Sequence, residues 1–353
     1  MITIREIAQR AGVSIGTVDR VLHKRGRVAK ATREKIERII GESGYKPNLF
    51  ASQLSLSRNY TFAVLVPKPE QDSQYWELPL KGMKQAESEL QPYKIRVRYF
   101  FYDKYSESSF WREADKILSH IKEFHGLLIA PVLSKAAEPF ISQIPPTLPY
   151  VFIDSYLPNT DSLSFIGQNS FRSGLLAGKL MHMLTLGKGT IVAFRLIPQD
   201  YHLDDRVNGF LSYFERYPSI QVKTFEANKQ EDEWVFKHLM EKICKEISDI
   251  RGVFVPSASV HQVAEYIVQN CYEPKIHIIG YDLVEANLSF LQNGVIDFLI
   301  GQRPEMQGYQ GIYALYKHVF LKHPVKKTMM LPLDIVTKEN LEDYTETERS
   351  LIS

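Results

Sequence analysis

Cysteine is scarce in this chain: its 353 residues include only Cys244 and Cys271, which lie in different segments and lack the spacing of metal ligands. We therefore expect two reduced thiols rather than a disulfide framework or a zinc site. The CxxC, HExxH and GxxxxGK(S/T) patterns of redox, zinc-peptidase and nucleotide-binding sites are also absent from the sequence. No enzyme activity, catalytic residue, metal ion or cofactor is predicted.

Long apolar runs are lacking as well, since no stretch approaches the roughly 18 apolar residues that a membrane helix needs. The opening residues, MITIREIAQR, have no apolar core of the secretory type. We therefore expect a cytoplasmic protein without a membrane partner.

The small formal net charge of +2 hides an asymmetry along the chain. Residues 1–59 contain 12 basic and 5 acidic residues, whereas the remainder contains 31 basic and 36 acidic ones. A basic end on a mildly acidic body suggests that only this end meets a polyanion. A solvated basic helix face is the alternative interpretation.

The first 46 residues have the pattern of three short helices. Thr3 and Glu6 form a Thr-x-x-Glu capping box at the first helix, and Gly12 ends it. Ser14 is placed to cap the second helix, and the third is predicted from about Thr32 to Glu42. Two short helices joined by Ala-Gly-Val form a helix-turn-helix, whose second helix enters the DNA major groove by its N-terminal end.

This segment resembles the DNA-binding head of the LacI/GalR repressor family, in TIREIAQRAGVSIGTVDRVL, VAKATREKIERIIGESGYKPN and LFASQL. The resemblance implies that Thr17 and Thr32 contact phosphates and that Ile15, Gly16 and Arg20 occupy base-reading positions. Arg20 can donate two hydrogen bonds to guanine O6 and N7. The predicted DNA-binding residues of the head are Ser14, Ile15, Gly16, Thr17, Arg20 and Thr32.

Three residues depart from the family pattern. Gly16 offers no side chain to a base. Asp19 replaces the usual serine, and it either accepts from a cytosine amino group or repels phosphate. Ala29 stands where a serine usually caps the third helix, so that helix start should be weaker by roughly 1 kcal/mol. The operator sequence therefore does not follow from family rules.

Residues 47–59 are expected to link the head to the body. By resemblance they form a hinge helix that orders on DNA and pairs with its twin from a second subunit. Leu54 matches the leucine that wedges into the minor groove and kinks the duplex, and Asn48 and Ala51 match other minor-groove positions. A flexible Ser-rich tether is the alternative.

From Tyr60 onward, short apolar strands alternate with amphipathic helices. The predicted strands are TFAVLV (61–66), IRVRYFFY (95–102), GLLIAP (126–131), YVFID (150–154), TIVAF (190–194), GVFVP (252–256) and IHIIGYD (276–282). Helices are predicted near 76–90, 108–123, 171–186, 205–217, 232–248, 259–270, 284–293 and 304–322. This alternation predicts an α/β body in which helices cover both faces of parallel sheets. Ligands of such sheets bind beyond the carboxyl ends of the strands.

The body resembles the two-lobed type I periplasmic-binding-protein fold as LacI/GalR proteins carry it, in FIGQNSFRSGLLAGKLM, DDRVNGF, IIGYDL, FLIGQRPEMQGYQGI and LPLDIVTKENL. The resemblance covers 60–344 and leaves 345–353 as a tail. It implies that lobe one comprises 60–162 and 303–325, and that lobe two comprises 165–301 and 328–344.

Polar residues gather at the predicted strand ends, where a polyol would find paired donors and acceptors. They are Asp154, Asn169, Arg206, Ser257, Asp282 and Gln302. Arg206, Asp282 and Gln302 match family ligand positions. The alternatives are that Asp282 only caps the next helix and that Arg206 pairs with Asp205.

Aromatic side chains are also candidates for contact with a sugar. Tyr75 and Trp76 either stack on the sugar ring or pack in the core. The case for Tyr156 and Tyr201 is weaker.

Together these features predict a homodimeric transcription regulator that binds a pseudo-palindromic double-stranded DNA operator. A sugar or sugar derivative is expected as its effector. Hexoses, pentoses, inositols, sugar acids, sugar phosphates and purines all remain possible. The rival interpretations are a solute-binding transport component, a ligand-independent DNA-binding protein and an enzyme.

Overall fold

The computed structural model describes residues 4–22, 28–43, 59–197, 200–232, 234–270 and 275–344. The chain divides into two compact units, Met1–Arg58 and Asn59–Ser353. The predicted hinge contacts Asn48, Ala51 and Leu54 lie outside the described residues, as does the tail. Within the described residues, no helix combines the length and apolar character needed to cross a membrane.

The N-terminal unit contains the three predicted helices, α1 (Ile4–Ala11), α2 (Ile15–Leu22) and α3 (Lys30–Ser43). They enclose a small core in which Ile7, Val18 and Ile36 are fully buried. Gly12 takes the turn between α1 and α2 with a φ of +69°, a left-handed conformation that favours glycine. The prediction of three helices is confirmed, although α3 begins two residues before Thr32.

The body contains two six-stranded sheets. Its strands are β1 (Tyr60–Pro67), β2 (Ile95–Tyr102), β3 (Gly126–Ile129), β4 (Tyr150–Ile153), β5 (Ser164–Gly167), β6 (Thr190–Ile197), β7 (Gln221–Asn228), β8 (Ile250–Phe254), β9 (His277–Tyr281), β10 (Phe298–Gly301), β11 (Thr328–Met330) and β12 (Asp334–Val336). The sheet orders are β11-β5-β4-β3-β1-β2 in lobe one and β12-β10-β9-β8-β6-β7 in lobe two. Every neighbouring pair is parallel except β10 and β12. The predicted α/β class with mainly parallel sheets is confirmed.

Helices lie between most of these strands and pack on the sheets. They are α4 (Glu77–Leu90), α5 (Glu107–Ser119), α6 (Ser134–Ile141), α7 (Ser170–Thr185), α8 (Tyr201–Phe214), α9 (Val235–Glu246), α10 (His261–Asn270), α11 (Glu285–Gln292) and α12 (Pro304–Val319). Short 3₁₀ turns span Gln91–Tyr93, Ile121–Glu123 and Ala258–Val260. Strands β1, β3 and β4 are buried over most of their length. The central strands therefore read as continuous apolar runs, as expected for parallel sheets covered on both faces.

The boundaries of the lobes differ from the sequence prediction. Strand β5 pairs with β4, and β11 pairs with β5, so both belong to the sheet of lobe one. Lobe two therefore begins after Gly167 rather than at 165, and its last segment begins after β11 rather than at 328. These strands have only four and three residues, too few to show a periodicity that would assign them to a sheet.

Three segments cross between the lobes, and one side chain joins them. Gln168, in the first crossing, donates from Nε2 to the carbonyl oxygen of Gly301 at 2.8 Å and to that of Pro332 at 3.0 Å. Gly301 ends β10 directly before the second crossing, and Pro332 lies in the third crossing. The crossings therefore lie together at the β5–β11 edge of one sheet and the β10–β12 edge of the other.

Candidate ligand site and DNA-reading face

The carboxyl ends of the strands in both lobes contribute to one buried polar cluster. Asp154 follows β4, Ser257 follows β8, Asp282 follows β9 and Gln302 follows β10, and all four are buried. Asp154 and Asp282 have φ values of +67° and +70°, so the chain turns sharply directly after each strand. Non-glycine residues in this region are uncommon and concentrate at functional sites.

Arg206, Gln302 and Asp282 form a continuous hydrogen-bonded chain. The Arg206 guanidinium donates from Nη2 to Oε1 of Gln302 at 2.7 Å, and Nε2 of Gln302 donates to both carboxylate oxygens of Asp282 at 2.9 and 3.1 Å. Arg206 also donates to the carbonyl oxygen of Pro256 at 2.8 Å. Charge-assisted contacts of this kind hold side chains in a fixed geometry.

The structure is at odds with both alternative interpretations, that Arg206 pairs with Asp205 and that Asp282 only caps the next helix. The hydrogen-bond partners of the Arg206 guanidinium are Gln302 and Pro256, and Asp205 instead accepts from the Tyr156 hydroxyl at 3.4 Å. Helix α11 begins after Val284, without a side-chain cap. The three family positions therefore come together, and their role in ligand binding stays a prediction.

Burial determines the electrostatics of the three hydrogen-bonded side chains Arg206, Gln302 and Asp282. Burial raises the pKa of Asp282 to about 7, against the opposing effect of the nearby Arg206 guanidinium. That guanidinium also lies over the Tyr281 ring, 3.9 Å from its centroid, a favourable cation–π arrangement. The result is an arginine held by neutral partners beside a carboxyl group that titrates near neutral pH.

A second group of contacts surrounds Asp154. The Tyr75 hydroxyl donates to Oδ1 of Asp154 at 2.6 Å, and Nε2 of His202 lies 3.6 Å from Oδ2. Nδ1 of His202 lies 2.7 Å from Oδ1 of Asp200, which also accepts from the Ser155 hydroxyl at 2.8 Å. Sequence reasoning missed His202, Asp200 and Ser155, although Ser155 directly follows a predicted strand end.

Tyr75 and Trp76 are buried in this cluster rather than displayed on a surface. Their rings meet edge to face, with centroids 5.2 Å apart. The Tyr75 hydroxyl is committed to Asp154, and Nε1 of Trp76 donates to Asp72 at 3.3 Å. Both rings therefore shape one wall of the cluster and also hold polar groups in place.

Some buried polar atoms in the cluster make no hydrogen bond within the described residues. They are Nε of Arg206, Oγ of Ser257 and Oδ2 of Asp200. Buried polar groups are normally paired, so atoms like these are candidates for contact with a ligand. They include a donor, an acceptor and a hydroxyl that can do both.

The space enclosed by the cluster is about 20 Å³, enough for about one water molecule. Two larger cavities, of about 780 and 470 Å³, open to solvent elsewhere on the body. The buried charges and unpaired polar atoms lie in the cluster, which makes it the candidate ligand site. A sugar would therefore need the lobes to separate before it could enter.

Asn169, Tyr156 and Tyr201 lie apart from the cluster. Asn169 caps α7 by accepting from the Arg172 amide at 2.9 Å, and it lines the 470 Å³ cavity together with Tyr156. The rings of Tyr156 and Tyr201 stack with centroids 6.4 Å apart. Their predicted contact with the same ligand is not supported by this placement.

Four further residues of the cleft were missed by sequence reasoning. Lys104 and Lys229 both direct their ammonium groups at the Asp72 carboxylate, at 2.7 and 3.4 Å, and the Tyr105 hydroxyl donates to it as well. Lys104 and Tyr105 follow the predicted strand β2, and this position beyond a strand end could have identified them as candidate site residues. Lys229 follows β7, which the apolar pattern does not predict.

The head displays the predicted base-reading positions on the surface of α2. Ile15 is 43% exposed, and Gly16 and Arg20 are exposed as well. Thr17 is half-buried, and its amide donates to the Ser14 hydroxyl at 3.2 Å, which caps the helix start. Thr32 is half-buried near the start of α3.

Residues 12–16 also spell GxSxG, the pattern around a hydrolase serine. Here, however, Ser14 lies between two helices and caps the second one. A hydrolase serine sits on a strand-to-helix turn instead. The pattern therefore gives no support for an esterase site.

Comparison with known proteins covers both units. Residues 62–322 match the family model of the periplasmic binding protein domain, and residues 3–48 match that of bacterial regulatory proteins of the lacI family. The ribose operon repressor of Lactococcus lactis is 24% identical over 346 residues, which cover 97% of this chain and 98% of that protein.

Two other similar proteins match the body or a large part of the chain. The xylose/arabinose-binding protein of Sulfolobus acidocaldarius is 24% identical over 219 residues, covering 56% of this chain and 52% of that protein, so this chain spans about half of that relative. A crystal structure from Bacteroides fragilis, described as a LacI transcriptional regulator, is 28% identical with a TM-score of 0.73. The match covers 81% of this chain and 100% of the Bacteroides fragilis chain.

Proposed function

The chain belongs to the lacI family of bacterial regulatory proteins, with a periplasmic-binding-protein domain as its body, and on this premise we propose that it is a DNA-binding transcription regulator controlled by a neutral sugar. The observation that carries the ligand part is the hydrogen-bonded chain of Arg206, Gln302 and Asp282. It lies where the strand ends of the two sheets meet, the place where ligands of such sheets bind.

The charges of the cleft favour a neutral ligand over a sugar acid or sugar phosphate. Four carboxyl groups, those of Asp72, Asp154, Asp200 and Asp282, face Lys104, Lys229, Arg206 and His202. A buried anion needs a cation to pair with. Lys104 and Lys229 already contact the Asp72 carboxylate, and the Arg206 guanidinium already donates to Gln302 and to the carbonyl oxygen of Pro256. The unpaired atoms are instead the donors and acceptors that hydroxyl groups use.

Two relatives narrow the choice of sugar. The Lactococcus lactis protein is a repressor of a ribose operon, and the Sulfolobus acidocaldarius protein binds xylose or arabinose. On that basis we infer that a pentose is the effector, ahead of hexoses, inositols and purines.

The mechanism that we infer couples lobe closure to DNA binding. Ligand binds between the lobes, closure changes the spacing of the segments that lead to the heads, and the heads bind two half-sites of a pseudo-palindromic operator as a cytoplasmic homodimer. Coupling of this kind is typically about 1–3 kcal/mol. No catalytic step is part of this proposal.

The ligand part is tested by thermal denaturation of the full chain with ribose, xylose and arabinose, and with ribose 5-phosphate as the charged comparator. A ligand at about 100 times its Kd should stabilise the protein by about 2.7 kcal/mol. We expect a neutral pentose to raise the Tm, and we expect Arg206→Gln to abolish that rise. Arg216→Gln, which changes an exposed arginine just after the same helix, should leave it intact.

A rise in Tm with ribose 5-phosphate but not with neutral sugars would contradict the neutral-ligand proposal. The DNA part is tested separately by selecting binding sites from fragmented genomic DNA with the full chain. Enrichment of a palindromic sequence is expected. Its absence, together with intact sugar binding, would favour a solute-binding transport component.

A further inference from the structure

The mouth of the cleft lies at the edge of the sheets opposite to the crossings. The crossings leave from the β5–β11 and β10–β12 edges, whereas β2 and β7 are the last strands at the other edges. Loops that follow β2 and β7 therefore meet where the two lobes move furthest apart on opening.

Lys229 and Gln230 of lobe two make polar contacts with lobe one at this mouth. Nζ of Lys229 lies 3.4 Å from Oδ1 of Asp72 in lobe one. Nε2 of Gln230 donates to the carbonyl oxygen of Tyr105 at 2.8 Å, also in lobe one. The side chains of Lys229 and Asp72 are only 7% and 8% exposed, so the ion pair is shielded from solvent.

Asp72 is held in place by its own lobe. It begins three consecutive left-handed residues, with φ values of 53°, 59° and 66° at Asp72, Ser73 and Gln74. Left-handed conformations of non-glycine residues cost energy and persist only when their surroundings enforce them. Here Lys104 contacts the carboxylate at 2.7 Å, and Trp76 donates to it at 3.3 Å.

The charge of Asp72 is also maintained within lobe one. Burial acts to raise the pKa of Asp72, but the ammonium groups of Lys104 and Lys229 outweigh it and hold this pKa well below its usual range. Lys104 belongs to the same lobe as Asp72 and can compensate it whether the cleft is open or closed. Lys229 belongs to lobe two, so its contact with Asp72 requires the two lobes to lie close together.

Lys229 is likewise oriented by lobe two. Its Nζ donates to the Ser259 hydroxyl at 2.6 Å and lies 5.9 Å from the centroid of the Tyr105 ring across the cleft. Each lobe therefore contributes a charged group that its own residues hold in position. Such an arrangement reduces the entropy lost when the pair forms.

We propose that Lys229 is a positioning residue that clasps the mouth of the cleft by pairing with Asp72 and holds the two lobes closed. The consequence for ligand binding rests on the proposed function, since a smaller closed population weakens the apparent affinity of a ligand that binds only the closed form. The clasp itself needs neither ligand nor DNA, so it can be tested without them.

Two substitutions should open the cleft to different extents. Lys229→Met removes the ion pair across the mouth and leaves Asp72 paired with Lys104. Asp72→Asn leaves the ammonium groups of Lys104 and Lys229 facing each other without a carboxylate between them, and like charges repel. We therefore expect wider opening for Asp72→Asn than for Lys229→Met.

The experiment measures the distance across the mouth in the ligand-free full chain by double electron–electron resonance. Spin labels are attached at Glu107→Cys and Glu231→Cys, both at exposed positions, after Cys244 and Cys271 are replaced by serine. Lys188→Met, at an exposed lysine of the same lobe, is the matched control. Circular dichroism reports whether each variant is folded.

The expected result is a shift to longer distances for Lys229→Met, a larger shift for Asp72→Asn and the parent distribution for Lys188→Met and Lys229→Arg. If one variant fails to fold, the other still tests the same pair from the opposite lobe. A parent-like distribution in a folded Lys229→Met or Asp72→Asn variant would overturn the clasp. If pentoses fail to raise the Tm while the distances across the mouth shift as expected, the proposed function is contradicted and the proposal about Lys229 is not.

Discussion

At the scale of single residues, the Asp282 carboxyl group shows how burial turns a strand-end acid into a pH-sensitive group. Its two oxygens accept from one neutral amide, that of Gln302, and the Arg206 guanidinium reaches it through that amide. This arrangement leaves the desolvation of the carboxylate incompletely offset, which is why its pKa rises to about 7. A carboxyl group of this kind binds its proton more tightly in the folded, closed protein than in the unfolded chain.

Replacing this group should therefore change how stability depends on pH. Between about pH 4 and pH 7 the folded protein retains a proton that the unfolded chain loses, so the contribution of Asp282 to the free energy of unfolding falls as pH rises. Each unit of pKa shift corresponds to about 1.4 kcal/mol. We expect Asp282→Asn to flatten this dependence, measured by urea denaturation at several pH values. Equal slopes for parent and variant would show that the carboxyl group is already ionised at pH 5.

Arg20 is the residue of the head with the clearest expected role in base recognition. It is exposed on α2 and belongs to the resemblance with the family's base-reading helix. We expect Arg20→Ala to lose discrimination at one symmetric base pair of the operator, by roughly 1–3 kcal/mol per contact. Binding-site selection with parent and variant measures this, and an identical consensus from both would exclude base reading by Arg20.

At the scale of helices and strands, the position of Arg206 depends on how closely α7 approaches α8. A Cβ atom added at Gly174 in α7 would lie 1.9 Å from the carbonyl oxygen of Arg206, and one at Gly209 in α8 would lie 2.0 Å from that of Phe171. The two glycines thus let the helix backbones touch. This contact places the guanidinium of Arg206 at the ends of the strands of lobe two.

Gly174→Ala should separate the two helices and displace Arg206. Overpacking at a tight contact typically costs about 1–3 kcal/mol, and we expect a loss of that size in the free energy of unfolding together with weaker sugar binding. Gly41→Ala is the matched control, because that helical glycine has open space around its Cβ position. The control should be neutral or stabilising by about 1 kcal/mol. Urea denaturation and pentose titration check both, and unchanged sugar binding by Gly174→Ala would show that Arg206 does not depend on this contact.

At the scale of the whole molecule, the division into two units suggests that DNA binding and ligand binding can be separated. The boundary falls between Arg58 and Asn59, so the N-terminal unit contains all 12 basic residues of the basic end. We expect removal of residues 1–58 to abolish operator binding and to leave the pentose-induced rise in Tm unchanged. Fluorescence anisotropy with operator DNA and thermal denaturation measure the two outcomes. Operator binding that persists in the truncated chain would contradict the assignment of DNA recognition to the head.

The amino-acid sequence by itself was sufficient to predict the class of the fold and to single out three residues that the structure brings together. Capping residues, Gly12 and the spacing of apolar residues predict the three helices of the head, because these signals act within a few residues. The long buried strands are visible as apolar runs for the same reason. Arg206, Asp282 and Gln302 were found because they match family motifs, and the structure brings them into one hydrogen-bonded chain.

Only the tertiary structure decided which lobe β5 and β11 join and which residues close the mouth of the cleft. Strands of three or four residues take their place from the strand beside them, which their own sequence does not specify. Asn169 has the position and residue type of a ligand contact, yet it caps α7. Asp72 and Lys229 are 157 residues apart in sequence, and their pairing follows from lobe closure. Long-range contacts of this kind depend on the packing of whole elements, which local sequence patterns do not encode.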